Sequence, residues 1–184
     1  MKKCRAIGVA ILPCLAAAFA CMPHALIAAE PVESSAVSKL LLEAKKQASL
    51  ISSDATLLRS YTGQSDLDWR IHGKQITRMK NHINAAAKTV TALDELKIQA
   101  APWQAVAIGR ILPYMREMAA DTTSAIEYLN KNQSRLSGKE YKDYIEANSD
   151  MSHELASLIG QFVDYGKSKG NYEKLQRKLE LPAK

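Results

Sequence analysis

The chain has 184 residues and a mass of 20.3 kDa, a length that predicts about one domain. Its net charge is +6, but three of the basic residues lie within the first five positions, so residues 30–184 carry only +3. The 8 Gly and 6 Pro residues exclude collagen-like and proline-rich classes. After residue 30, no apolar run reaches the roughly 18 residues of a membrane-spanning helix. The remainder is therefore predicted to be soluble or surface-attached.

Residues 1–29 have the layout of a secretory signal peptide. A basic start is followed by the apolar stretch Ala6–Met22 and then by small residues. Because small residues precede the scissile bond, cleavage is predicted after Ala28 or Ala29, with Ala20 as the competing site. The protein is therefore expected to be exported, either to the periplasm or outside the cell.

All three cysteines, Cys4, Cys14 and Cys21, lie in this first segment. Cleavage after residue 28 or 29 would remove them, and with them any disulfide, cysteine-based metal site or thiol nucleophile. The alternative is lipid modification of Cys21, which would attach the chain to a membrane. The residues before Cys21 depart from the Leu-Ala-Gly pattern that precedes such a cysteine in bacterial lipoproteins.

Four segments carry apolar residues at alternating steps of three and four, the pattern of amphipathic helices that pack like coiled coils. The predicted buried rows run from Val37 to Leu58, from Trp69 to Leu93, from Ile108 to Leu129 and from Tyr141 to Tyr165. The fourth row consists of Tyr141, Tyr144, Asn148, Met151, Leu155, Leu158, Phe162 and Tyr165. No segment of five or more residues alternates as a strand would.

Capping residues mark where these helices are expected to start. The predicted caps are Ser34 or Ser35, Ser65, and Ser137 or Gly138. The third helix is predicted to begin at Pro102, where the missing N–H costs little. Short loops between such segments predict an all-α, up-down-up-down antiparallel four-helix bundle over residues 30–184.

Two places strain this pattern. Pro113 inside the third helix predicts a bend, because it removes one backbone hydrogen bond. Gly166 and Gly170 weaken the end of the fourth helix, so residues 167–184 are predicted to form either its end or a separate, looser basic helix.

His72 is the first candidate for a functional residue, because it lies in an otherwise apolar row and needs a hydrogen-bond partner if buried. Tyr144 and Asn148 are its predicted neighbours, with Trp69 one turn away. One interpretation is a neutral structural histidine bonded to Asn148 or Tyr144, which would fix the helix register. The other is a ligand-binding or proton-sensing site made of Trp69, His72, Tyr144 and Asn148.

Cofactor sites find little support in the pattern. A haem between His72 and a methionine of the predicted buried rows would need space that the large side chains of these rows do not leave. Methionine in such a row commonly fills gaps in the core. A di-metal centre needs two Glu-x-x-His pairs, whereas only Asp150-x-x-His153 has that form and the predicted seams contain no acid. His82 is expected to flank the second seam. No cofactor, metal or catalytic residue is therefore predicted.

A basic tail is the second candidate surface. It comprises Lys167, Lys169, Lys174, Arg177 and Lys178. Such a surface suits an anionic membrane or nucleic acid, or is simply a solvated helix end. Because export separates the protein from nucleic acid, an unknown protein partner or an envelope component is the expected partner.

Four segments stand out: Trp69-x-x-His72, Ala101-Pro102-Trp103-Gln104, residues 130–136 and residues 162–167. Together they resemble an uncharacterised family of exported bacterial helical proteins. The architecture is similar to the cytochrome b562 and cytochrome c-prime bundles, but the covalent haem motif is missing and no histidine lies near the end of the fourth helix. The resemblance implies a helical fold and no specific function. The expected function is a non-enzymatic interaction or envelope-associated module.

Overall fold

The protein is a four-helix bundle. The computed structural model describes residues 33–64, 68–133, 136 and 138–182, and these ranges contain no β-strand. The helices are α1 (Ser35–Thr62), α2 (Trp69–Glu95), α3 (Pro102–Lys131) and α4 (Lys139–Lys178), with a 3₁₀ helix at Lys97–Gln99. Each helix packs against the next, and α4 also packs against α1, which closes the bundle. The predicted all-α class is confirmed, while residues 1–29 with their cysteines lie outside the described residues.

Most helix ends lie where the sequence predicts them. Ser34 caps α1, since its side chain accepts a hydrogen bond from the N–H of Val37 at 3.4 Å. Pro102 is the first residue of α3, and Gly138 is the N-cap of α4. These local signals determine where the chain enters each helix.

The predicted start of the second helix was wrong. Asp68, and not Ser65, caps α2: its carboxylate accepts a hydrogen bond from the N–H of Arg70 at 2.8 Å. A carboxylate at this position satisfies one of the free N–H groups and interacts favourably with the helix dipole.

Proline and glycine do not interrupt the long helices. The helix α3 continues through Pro113, as predicted. The helix α4 is continuous through Gly166 and Gly170 as far as Lys178, so the basic tail is its end and not a separate helix. Val163 is the last buried residue of α4, and residues 164–178 therefore extend the helix without adding to the core.

The predicted core rows hold for three helices and fail in part for the fourth. Every predicted position on α1, α2 and α3 is buried except Trp69, which is half-buried. On α4, the predicted core positions that are not buried are Tyr144, Met151, Phe162 and Tyr165. Positions buried there without having been predicted are Ile145, Ser149, Ser152, Ile159 and Val163. The buried face of α4 is therefore wider than the predicted row and includes polar residues.

Candidate functional site

His72 lies inside the bundle in an aromatic layer to which each helix contributes one ring. Only 1% of its surface is exposed, and its Nδ1 atom is 2.9 Å from the hydroxyl of Tyr141 on α4. Tyr61 of α1 meets the histidine ring edge-on at a centroid separation of 6.0 Å. Tyr128 of α3 stacks on Tyr141 at 5.8 Å. We call these four residues the aromatic layer.

The other ring nitrogen of His72 is unsatisfied. Its Nε2 atom is buried and has no hydrogen-bond partner among the described residues. A neutral imidazole has one donor and one acceptor nitrogen, so Nε2 lacks a partner whichever tautomer is present. A buried polar atom in this state costs about 1–3 kcal/mol.

Burial disfavours the charged forms of His72 and Tyr141. It lowers the pKa of His72, while the carboxylate of Asp68 acts in the opposite direction to a smaller extent. Burial also raises the pKa of Tyr141. A neutral histidine beside a neutral phenol can hold the helix register, and a neutral imidazole nitrogen is also a metal ligand. Within the described ranges, however, no three His, Cys, Asp or Glu side chains are grouped to hold a metal ion.

The predicted partner of His72 was wrong, because neither Asn148 nor Tyr144 hydrogen-bonds to it. Asn148 is buried, but its Oδ1 accepts a hydrogen bond from the hydroxyl of Thr122 at 3.2 Å and its Nδ2 donates to the carbonyl oxygen of Tyr144 at 3.0 Å. The Tyr144 hydroxyl donates instead to Glu140 at 3.2 Å on the exposed side of α4.

Helix geometry explains this difference. Tyr141 and Asn148 are seven residues apart, about 10 Å along α4, so they belong to different layers of the bundle. Trp69, the fourth predicted site residue, is half-buried at the start of α2, and the guanidinium of Arg70 lies 4.9 Å from its ring. The structure thus joins His72 to Tyr141 and separates it from the predicted polar partners.

A buried carboxylate that sequence reasoning missed connects α1 to α2. The side chain of Asp54 is 2% exposed, and its Oδ2 atom lies 2.5 Å from Nδ1 of His82. Its Oδ1 atom lies 3.0 Å from Nε of Arg78 and accepts a longer hydrogen bond of 3.4 Å from Gln75. Both carboxylate oxygens are therefore engaged, and we call these four residues the Asp54 cluster.

Asp54 lies one residue before Ala55 of the predicted α1 row, so the row itself contains no acidic residue but the buried face of α1 does. Gln75, Arg78 and His82 follow one another at steps of three and four, so they share the side of α2 that meets Asp54. That spacing is visible in the sequence, but it indicates a partner for Asp54 only once α1 and α2 are known to pack against each other. With every oxygen occupied, Asp54 serves to fix the two helices against each other.

Gln104 connects the starts of α1 and α3. This side chain is fully buried, and its Oε1 accepts hydrogen bonds from the N–H groups of Ser34 and Ala101, both at 3.1 Å. Its Nε2 donates to the carbonyl oxygen of Ser34 and to the hydroxyl of Ser38, both at 3.0 Å. One side chain therefore satisfies backbone groups at two helix starts.

Trp103 lies against the end of α4 beside Gly166. A Cβ added to Gly166 would lie 2.7 Å from Cη2 of the indole, so the ring packs directly on the glycine backbone. The ring of Tyr165 meets Trp103 edge-on at 5.4 Å. Next to this contact is a cavity of about 160 Å³ lined by Glu33, Ser38, Leu41, Leu42, Trp103, Val163, Gly166 and Lys167.

The predicted basic surface lies on the last turns of α4. Two of its residues form ion pairs within the helix: Nζ of Lys167 lies 3.9 Å from Oδ1 of Asp164, and Nζ of Lys169 lies 3.6 Å from Oε1 of Glu173. Lys174, Arg177 and Lys178 form no ion pair with the part of the chain that the structure describes, and all three are exposed.

Comparison of the chain with protein-family models, with curated proteins and with solved structures finds no match. None of the helices in the described ranges combines the length and the apolar content needed to cross a bilayer.

Proposed function

We propose that this protein is an exported, non-enzymatic interaction module associated with the cell envelope, and that it acts through the end of α4. One observation carries the proposal: four large apolar side chains between residues 165 and 179 are more than half exposed. They are Tyr165, Tyr172, Leu175 and Leu179, with exposures of 52–56%. An unburied apolar face on a formed helix is typical of a binding surface.

The contacts between helices support an antiparallel up-down-up-down arrangement. Trp103 in the first turn of α3 meets Tyr165 and Gly166 late in α4, which brings the start of one helix to the end of the other. In this arrangement the last turns of α4 project beyond the starts of α1 and α3. The polar groups of the Asp54 cluster are engaged within the bundle, which favours a surface role over an internal one.

A second candidate function is a ligand-, haem- or metal-binding bundle centred on His72. The unpaired Nε2 atom of this histidine is the observation that favours it. Absorption spectra and metal analysis of the purified protein, before and after haem is added, test this function. A Soret band or a stoichiometric metal that is lost in His72→Leu would replace the surface proposal.

Fractionation of the producing cells tests the proposed function. The wild-type chain and a chain that stops after residue 170 are compared for their distribution between the membrane and soluble fractions of the envelope. We expect the wild-type chain with the membranes and the shortened chain in solution. Equal thermal unfolding midpoints would show that the bundle itself is intact, and an unchanged distribution would contradict the proposal.

A further inference from the structure

The apolar residues at the end of α4 lie on a different side of the helix from its core-facing residues. Val163, the last buried residue, and Tyr172 are nine residues apart, which corresponds to about 180° at 100° per residue. Where the bundle ends, the apolar side of α4 therefore turns away from the bundle axis.

These residues form a continuous row. Tyr165, Tyr172 and Leu179 follow at intervals of seven, and Leu175 lies three residues after Tyr172. We call these four residues the α4 stripe. Intervals of seven and three place the row on one side of the helix.

A further exposed apolar residue, Ile98, lies near this end of the molecule. Ile98 is 97% exposed in the 3₁₀ helix that leads into α3, whose first turn contacts Tyr165 through Trp103. Exposed large apolar residues at or near this end include Ile98, Tyr165, Tyr172, Leu175, Leu179 and Leu181.

The side of α4 opposite the stripe is basic. Lys174 is two residues beyond Tyr172, about 200° around the helix, and Lys178 is one turn further on the same side. Residues 165–182 contain five basic and two acidic residues, a net charge of +3. An apolar side with tyrosines and an opposite side rich in lysine are the features of helices that lie in the plane of a membrane surface.

We infer that residues 165–182 bind the surface of an anionic phospholipid bilayer, with the α4 stripe inserted at the level of the headgroups. This inference rests on the proposed function and names its partner. The net charge of +3 complements anionic lipid, whereas two copies of the segment would repel each other. Tyrosine is favoured at the boundary between headgroups and acyl chains, and long lysine side chains reach the headgroups while their stems stay near the apolar phase.

Vesicle flotation tests the inference with vesicles of phosphatidylcholine, with and without phosphatidylglycerol, at low and high salt. Every chain is purified with the same N-terminus, which intact mass defines, so differences between variants report on α4. We expect binding that requires phosphatidylglycerol and weakens with salt. The stripe variant Leu175→Asp/Leu179→Asp and the charge variant Lys174→Glu/Lys178→Glu should each weaken it by about tenfold or more.

Matched variants elsewhere on the bundle serve as controls. Leu50 and Leu57 are exposed leucines of α1, and Leu50→Asp/Leu57→Asp should leave binding unchanged. Lys80 and Lys88 are exposed on α2, and Lys80→Glu/Lys88→Glu makes the same change in net charge as the basic α4 variant. Circular dichroism of each variant confirms that it is folded.

Three results would overturn the lipid inference. The first is the absence of binding to anionic vesicles at low salt. The second is an equal loss of vesicle binding in the α4 variants and the control variants. The third is a dimer in light scattering that dissociates in Leu175→Asp/Leu179→Asp. If the protein does not bind vesicles but the shortened chain is still found in the soluble fraction of the envelope, the partner is a protein and the proposed function survives. If the shortened chain stays with the membranes, the proposed function fails as well.

Discussion

The contact between Gly166 and Trp103 makes the substitution Gly166→Ala a sharp test of how α4 meets α3. The new Cβ would lie 2.7 Å from Cη2 and 3.0 Å from Cζ2 of the indole. Favourable carbon contacts are about 3.5–4.0 Å, so the ring has to move by about 1 Å. Such overpacking costs about 1–3 kcal/mol, while alanine gains about 1 kcal/mol in helix propensity. The free energy of unfolding should therefore fall by about 0–2 kcal/mol.

Gly160→Ala is the matched control on the same helix. Its Cβ would lie 3.8 Å from Cε of Lys45, which is an ordinary contact, so the propensity gain of about 1 kcal/mol should appear in full. Urea unfolding followed by circular dichroism measures both variants. In a Trp103→Leu background the penalty should disappear, and Gly166→Ala should then stabilise the protein as Gly160→Ala does.

The result that would refute this reasoning is a Gly166→Ala variant that gains as much stability as Gly160→Ala with Trp103 present. A second readout uses the tryptophan emission in a Trp69→Phe background, which reports on Trp103 alone. Gly166→Ala should shift that emission because the ring is displaced, and Gly160→Ala should not.

Three further predictions concern the buried polar groups. Asp54→Ala should lower the free energy of urea unfolding by about 2–3 kcal/mol, because Arg78 and His82 lose a carboxylate partner but remain partly hydrated; no change would contradict the Asp54 cluster. Tyr141→Phe should lower the free energy of unfolding by about 1–2 kcal/mol, because both ring nitrogens of His72 then lack partners. A thermal midpoint equal to that of the wild type would contradict this. Because burial lowers the pKa of His72 in the folded state, the contribution of this residue to the free energy of unfolding should not change above about pH 6.5 and should fall as the pH drops below it, since the unfolded state binds the proton more readily. His72→Leu, expected to fold with a stability within about 2 kcal/mol of the wild type, should remove that part of the pH dependence.

Periodicity alone predicted the buried rows of α1 and α3 because their apolar residues are evenly spaced. On α4 the same method misplaced half of the row. Ser149 and Ser152 are buried, yet a hydropathy pattern counts serine as a surface residue. The hydroxyl of Ser152 donates to the carbonyl oxygen of Ser149 at 2.8 Å, so its hydrogen bond is made within the helix and leaves no trace in the pattern.

The candidate site could be predicted only as far as single residues. That His72 is buried and needs a partner follows from its place in an apolar row, and this was correct. The identity of that partner depends on the rotation of α4 about its axis, which presents Tyr141 and turns the hydroxyl of Tyr144 towards Glu140. Asp54 was missed for a related reason, since its partners come from another helix.

The side chain of Gln104 has a consequence for how the bundle opens. Because it holds both the N–H and the carbonyl oxygen of Ser34, the first turn of α1 cannot unwind without releasing the side chain that also binds the N–H of Ala101 at the start of α3. Helix ends commonly fray and exchange their amide protons quickly, but here two ends separated by 70 residues in sequence should loosen as one unit. In hydrogen exchange, the amides of Ser34 and Ala101 should consequently be slow and should become fast together in Gln104→Ala.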